Sequence, residues 1–109
     1  MFLLENGIHC LLIQDNNHNE EANGDAMAYC SLAVNVGSYN DPPDRPGLAH
    51  FLEHMIFMGS KEYDNEDDYS NHVSAFGGCC NAYTVLKWTN CQFQIAYQGL
   101  EELIEVLEM

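Results

Sequence analysis

Residues 48–58 read Leu-Ala-His-Phe-Leu-Glu-His-Met-Ile-Phe-Met, and few backbones can accommodate them. Eight of the eleven are apolar. Wound as a helix, those eight fall on every side, which predicts a buried helix rather than an amphipathic one. The three polar residues are His50, Glu53 and His54. At about 100° per residue they sit near 0°, 300° and 40°, so they form a single stripe. Three ionisable groups on a buried helix need partners, because burying them unpaired costs several kcal/mol.

Histidines at i and i+4 send their imidazoles to a common point, the geometry for two nitrogen ligands on one zinc ion. Glu53 flanks His50 and is placed to hold a water beside the metal rather than the metal itself. The pattern H-x-x-E-H is the inverse of the H-E-x-x-H helix of zinc proteases. The plain alternative is a pair of core histidines satisfied by a neighbouring carboxylate. It fits less well with the apolar surroundings and the turn-rich entrance. A zinc site needs a third protein ligand, for which the chain offers Asp64, Glu66, His72, Cys79 and Cys80. His72 also suits helix packing, and the vicinal thiols Cys79 and Cys80 also suit the entrance of a strand.

The remaining pattern predicts an α+β chain in the order β-β-α-α-β-β-α. Residues 8–14 form an apolar run entered by Asn6-Gly7 and read as a buried strand. Residues 15–25, which include His18, are polar and turn-rich. Residues 27–36 read as a second strand, expected to pair with the first as an antiparallel hairpin. All three prolines fall in 37–47, a rigid loop. A turn over 59–64 precedes a second helix over 65–76, with Asp64 or Asn65 as N-cap and Gly77 just past its end. Residues 81–87 and 90–97 read as a second hairpin around Trp88-Thr89. Leu100, Leu103, Ile104 and Leu107 repeat at helical spacing to the end of the chain, with no terminating glycine or proline. A chain that starts near a strand and stops inside a helix reads as the first part of something larger.

Composition narrows the function. Three Lys and Arg stand against seventeen Asp and Glu, for a net charge of −14. Such a chain has almost nothing with which to neutralise phosphates, which excludes nucleic-acid binding. No apolar run approaches the roughly 18 residues of a membrane span, and the first residues lack the pattern of a secretory signal. Five cysteines without a C-x-x-C pair read as reduced thiols of a cytoplasmic protein.

Several segments together resemble a known family. Gly37-Ser38-Tyr39-Asn40-Asp41-Pro42, then Gly47 through Ser60, then Lys61-Glu62-Tyr63 and Gly77-Gly78 leading into Asn81-Ala82-Tyr83-Thr84, are similar to the pitrilysin-type zinc metallopeptidases. The similarity covers roughly residues 3–107 and is densest over 35–84. It implies zinc as cofactor, His50 and His54 as metal ligands, and Glu53 as catalytic base. It also implies that the segment with Asn81 and Ala82 is an edge strand holding the extended backbone of a peptide substrate. The family's third ligand is a glutamate several tens of residues after the second histidine, so it would lie beyond position 109. Residues 1–109 would then be the N-terminal part of a peptidase domain, incomplete without the remainder of a parent chain. Cys79-Cys80 and 85–88 depart from the family's usual wording.

The resemblance therefore implies a zinc-dependent endopeptidase acting on oligopeptides, with this stretch inactive alone. The net charge would steer basic peptides toward it, unless it is only the charge of one surface. The competing expectation is a non-catalytic, family-like subunit or binding scaffold. Such degenerate members typically lose one of the three motif residues, and all three are kept here.

Overall fold

The computed structural model describes residues 1–14, 26–59 and 65–100. It is an α+β fold with two short strands, β1 (Phe2–Leu3) and β2 (His9–Cys10), then β3 (Met27–Val34), α1 (Leu48–Met55), α2 (Asp68–Ala75), β4 (Cys79–Thr84) and β5 (Thr89–Ala96). Residues 97–100 begin a further helical turn. The expected loop 15–25, most of the turn 59–64 with Asp64, and the body of the last helix lie outside the described residues.

The second hairpin forms, but not around Trp88-Thr89: β4 ends at Thr84, so residues 85–87 leave the strand, and Thr89 is already the first residue of β5. β4 and β5 pair antiparallel from Cys79↔Gln94 to Thr84↔Thr89. Its turn is Val85–Trp88, closed by the Val85 N–H donating to the Trp88 carbonyl at 2.9 Å. Trp88 packs edge-on to Tyr83 at 5.3 Å between ring centroids.

The first hairpin does not form as expected. β2 pairs with β1, Phe2↔Cys10 and Leu3↔His9, and Asn6-Gly7 is the turn between them rather than the entrance to one strand. Gly7 supplies the positive φ of 88° that this turn needs, and Asn6 Oδ1 accepts from the Ile8 N–H at 3.1 Å. The short Asn-Gly turn costs less closure entropy than pairing residues 8–14 with β3 across the longer intervening sequence would. β3 takes β5 instead, in an eight-residue register from Met27↔Ala96 to Val34↔Thr89. The larger sheet therefore runs β3-β5-β4, with β4 on an edge among the described residues.

Both helices pack on β4 and β5. The core is Val73 of α2 against Phe93 and Ile95 of β5, ringed by Ala28, Tyr69, Phe76, Cys80 and Leu100. α2 starts three residues later than expected, with Asp67 as N-cap. Asn65 organises the preceding turn, its Oδ1 accepting from the Asp67 N–H at 3.3 Å and its Nδ2 donating to Asp68 at 2.7 Å. The end of α2 is as read. Gly77 adopts φ +65°, its N–H donates to the Ser74 carbonyl at 3.0 Å, and the Gly78 N–H donates to the Val73 carbonyl at 2.9 Å. Those two bonds form a Schellman cap, which turns the chain directly into β4.

α1 departs from expectation in its surroundings. Its buried residue is Glu53, while Phe51 and Leu52 are 63% and 60% exposed. The three-stranded sheet reaches only the Glu53 side of the helix, so the apolar residues around the rest of its circumference are left uncovered by the described residues. The helix also ends at Met55 and finishes in a tight turn, with Met58 N–H to the Met55 carbonyl at 3.1 Å and Gly59 at φ +90°.

Candidate metal centre

The loop before α1 sets the position of the motif. Gly37 lies so close to the β4–β5 turn that a Cβ would come within 2.2 Å of the Val85 carbonyl oxygen, so glycine is required there. Ser38 and Tyr39 donate backbone N–H bonds to Val85 at 3.0 Å and Leu86 at 2.8 Å. Asn40 Oδ1 accepts from the Gly37 N–H at 3.1 Å. Asp41 then reaches forward: Oδ2 accepts from the Gly47 N–H at 2.7 Å and Oδ1 from the Ala49 N–H at 2.8 Å. A carboxylate on the unpaired N–H groups of a first turn satisfies those donors and complements the helix dipole. The sequence reading included Asp41 only as part of a resemblance; its capping role was missed because it lies outside the usual N-cap position.

On α1 the two imidazoles converge. His50 Nε2 and His54 Nε2 are 3.1 Å apart, with ring centroids 4.8 Å apart. Both histidines are exposed and Glu53 is buried at 7%. One ligand atom from each of His50, Glu53 and His54 lies within 4.8 Å of the others, the group among the described residues able to hold a metal ion. Two nitrogens bound about 2.0–2.1 Å from a tetrahedral zinc stand about 3.3 Å from each other. The observed 3.1 Å matches that separation, so the residues present fit zinc.

Glu53 is fixed from the sheet side. Thr84 Oγ1 donates to Glu53 Oε2 at 2.5 Å. Thr89, paired with Thr84 in the register, lies 3.3 Å from it through the hydroxyl oxygens and donates to the Val36 carbonyl at 2.8 Å. Sequence reasoning missed Thr84 as a site residue. A threonine in a strand carries no signal of a partner 31 positions away. Burial, and next the Glu53 carboxylate, push the nearby Cys91 thiol up.

The described candidates for a third ligand, Glu66, His72, Cys79 and Cys80, are not in this group. Glu66 and Cys79 are exposed, and Cys80 faces the core around Val73. His72 Nε2 lies 3.2 Å from the Gly99 carbonyl and its ring packs on Phe76 at 5.1 Å, in keeping with helix packing. Asn81 and Ala82 lie on β4, the strand whose Thr84 touches Glu53. Asn81 is exposed, and its Oδ1 accepts from the Ala82 N–H at 3.0 Å.

A helix carrying an inverted two-histidine, one-glutamate motif, packed against an antiparallel sheet, makes this an α+β chain with a candidate metal centre. Comparison with known proteins gives the family. Residues 18–109 match "Insulinase (Peptidase family M16)", and the chain belongs to that family. It is 43% identical over 97 residues to the A-factor-processing enzyme of Saccharomyces cerevisiae, covering 89% of this chain and 9% of that protein. It is 39% identical over 102 residues to the insulin-degrading enzyme of Mus musculus, covering 94% of this chain and again 9% of the relative. The crystal structure of pitrilysin superposes with a TM-score of 0.68 at 37% identity, over 72% of this chain and 8% of pitrilysin. The α+β arrangement is thus shared with solved structures, and the chain spans about a tenth of the length of the relatives it matches.

Proposed function

We propose that this chain is the N-terminal, metal-binding part of the peptidase domain of a zinc-dependent endopeptidase that hydrolyses oligopeptides. The observation that carries the proposal is the 3.1 Å convergence of His50 and His54 Nε2 beside the buried, hydrogen-bonded carboxylate of Glu53. A relative named for degrading insulin, a polypeptide, supports peptides as the substrate class.

His50 and His54 would hold zinc. When bound, zinc supplies Lewis acidity, making water more acidic and polarising a carbonyl. Glu53, held at Oε2 by Thr84, takes the proton of the attacking water and delivers it to the leaving amine. Its burial beside the sheet keeps it in one orientation for both transfers. β4 aligns an extended peptide beside the site by strand addition, with Asn81 and Ala82 at the contact. An added strand would have to displace the Asn81–Ala82 contact. A further ligand and the walls that enclose substrate would come from the remainder of a longer parent chain. Alone, the 109 residues would hydrolyse peptides poorly, since positioning and water exclusion supply much of the rate, about 7–11 kcal/mol in the best intramolecular cases. No helix among the described residues is long and apolar enough to cross a membrane. The reading of its five cysteines, an odd number without a C-x-x-C pair, as reduced thiols is what supports a cytoplasmic location.

Zinc titration against a competing indicator tests the metal reading. His50→Ala and His54→Ala should each lose binding, and Glu53→Gln should retain it. Equal binding by His50→Ala and the unmodified chain would refute it. Efficient, chelator-sensitive cleavage of a fluorogenic peptide by the 109-residue chain would refute the incompleteness of the site.

A further inference from the structure

Glu53 has two possible roles at such a centre, base or ligand, and little distance separates them. Its ligand atom lies within 4.8 Å of the histidine nitrogens. Ligand atoms on one tetrahedral zinc are about 3.3 Å apart, so the carboxylate is at most about 1.5 Å beyond ligand spacing from the histidine nitrogens. No other group of metal-ligating side chains among the described residues competes for that position. A carboxylate beside a dication and short of ligands should therefore turn onto it unless something holds it back.

Thr84 is placed to do so. Its hydroxyl carries a single proton. Thr89 directs its own single proton to the Val36 carbonyl, which can only accept. The Thr84 hydroxyl has two oxygens in reach, and the acceptor-only carboxylate takes its proton: Glu53 Oε2 stands at 2.5 Å, the short distance of a charge-assisted O–H···O bond, against 3.3 Å to Thr89. The register Thr84↔Thr89 fixes the threonine at the end of β4, against the turn that Gly37, Ser38 and Tyr39 clamp from the other side.

We infer that Thr84 is a positioning residue: by binding Oε2 it holds Glu53 beside the metal position as an unligated base and prevents it from becoming a metal ligand. This rests on the zinc reading proposed above, and it makes a prediction of unusual sign. Loss of a merely structural contact would loosen the site and weaken metal binding. Loss of this restraint would free a carboxylate to bind, and strengthen it.

The test is zinc affinity of the 109-residue chain by indicator competition, with the visible spectrum of the cobalt-substituted protein as a second readout of ligand number. Thr84→Val should bind zinc about tenfold more tightly, the scale on which outer contacts tune metal sites, and its cobalt spectrum should change. Thr84→Ser, which keeps the hydroxyl, should match the unmodified chain in both. Glu53→Gln added to Thr84→Val should cancel the gain. Thr84→Ala carries the same test if the valine variant loses its far-ultraviolet circular dichroism. Unchanged or weaker zinc binding in Thr84→Val and Thr84→Ala, or a gain that survives Glu53→Gln, overturns the inference while leaving the zinc reading in place. Failure of the unmodified chain to bind zinc through His50 and His54 overturns both.

Discussion

The carboxylate of Asp41 accepts the backbone N–H of Ala49 at 2.8 Å, and so ties the proline-rich loop to the first turn of the helix that carries His50, Glu53 and His54. The same carboxylate holds the Gly47 N–H at 2.7 Å. Removing it leaves two donors without that partner. Asp41→Ala should destabilise the fold by about 1–2 kcal/mol, the scale of losing a helix cap. It should also weaken zinc binding, because the first turn positions His50. Urea denaturation and the indicator titration check both. A variant with wild-type stability would show that the cap is dispensable.

The pieces of this arrangement that were legible from sequence are local ones. His50 and His54 converge because an i, i+4 spacing on any helix brings them together, whatever surrounds it. Gly77 ended α2 as read, since only a left-handed residue closes the cap. β4 and β5 are joined by a four-residue turn, so their pairing needed no long-range information. Element ends slipped by a few residues, as at the start of α2, and the larger failures were non-local. Whether β3 pairs with residues 8–14 or with β5 depends on competing partners of similar pattern. Asp41 reaches eight residues forward. Composition likewise made α1 look wholly enclosed, though burial depends on what covers it: Glu53 is enclosed and Phe51 is not.

Asn90 is buried at 6%, and its Oδ1 has no partner among the described residues while its Nδ2 donates to Ser31 Oγ at 2.8 Å. Ser31→Ala would leave the whole amide unpaired and should cost about 1–3 kcal/mol. The double variant Ser31→Ala, Asn90→Ala removes the stranded polar group as well, and should recover part of that cost. Denaturant midpoints of the two variants decide it; a double variant that loses the sum of both single effects would contradict this account.

Tyr69 packs against the core cluster, and its hydroxyl is pushed up to about 12, chiefly by burial and then by Cys80, Cys30 and Cys91. The folded chain thus keeps this proton to higher pH than the unfolded chain, whose tyrosine titrates near 10. Between about pH 10 and 12 the native state binds more protons than the unfolded one, so stability falls as pH rises. Below about pH 10 the contribution is fully present. Tyr69→Phe should flatten the decline in this window, measured as denaturant midpoint against pH. An unchanged slope would remove Tyr69 as its source.

The vicinal thiols should react unequally. Cys79 is exposed, while Cys80 is half-buried on the other face of the strand. Burial, followed by the neighbouring Cys79, pushes the Cys80 thiol up, and burial does the same for Cys91. A raised pKa means less thiolate at a given pH, and the thiolate is the reactive form. Iodoacetamide near pH 8 should therefore label Cys79 before Cys80 and Cys91, read by peptide mass spectrometry at short times. Equal rates at Cys79 and Cys80 would place both on open surface.

Zinc should stabilise the folded chain by mass action, because the unfolded chain does not hold His50 and His54 at 3.1 Å. At a free zinc concentration a hundred times the dissociation constant the gain is about 2.7 kcal/mol, less any binding to the unfolded state. A rise in Tm on adding zinc, reversed by a chelator, is the expected signature. His50 is exposed, so His50→Ala should leave the metal-free stability within about 0.5 kcal/mol of the parent. The same variant should lose the zinc-dependent rise, because a single histidine on α1 no longer chelates. A full zinc-dependent rise in His50→Ala would mean that the stabilising ion sits elsewhere, with the carboxylates of this acidic chain as the next place to look.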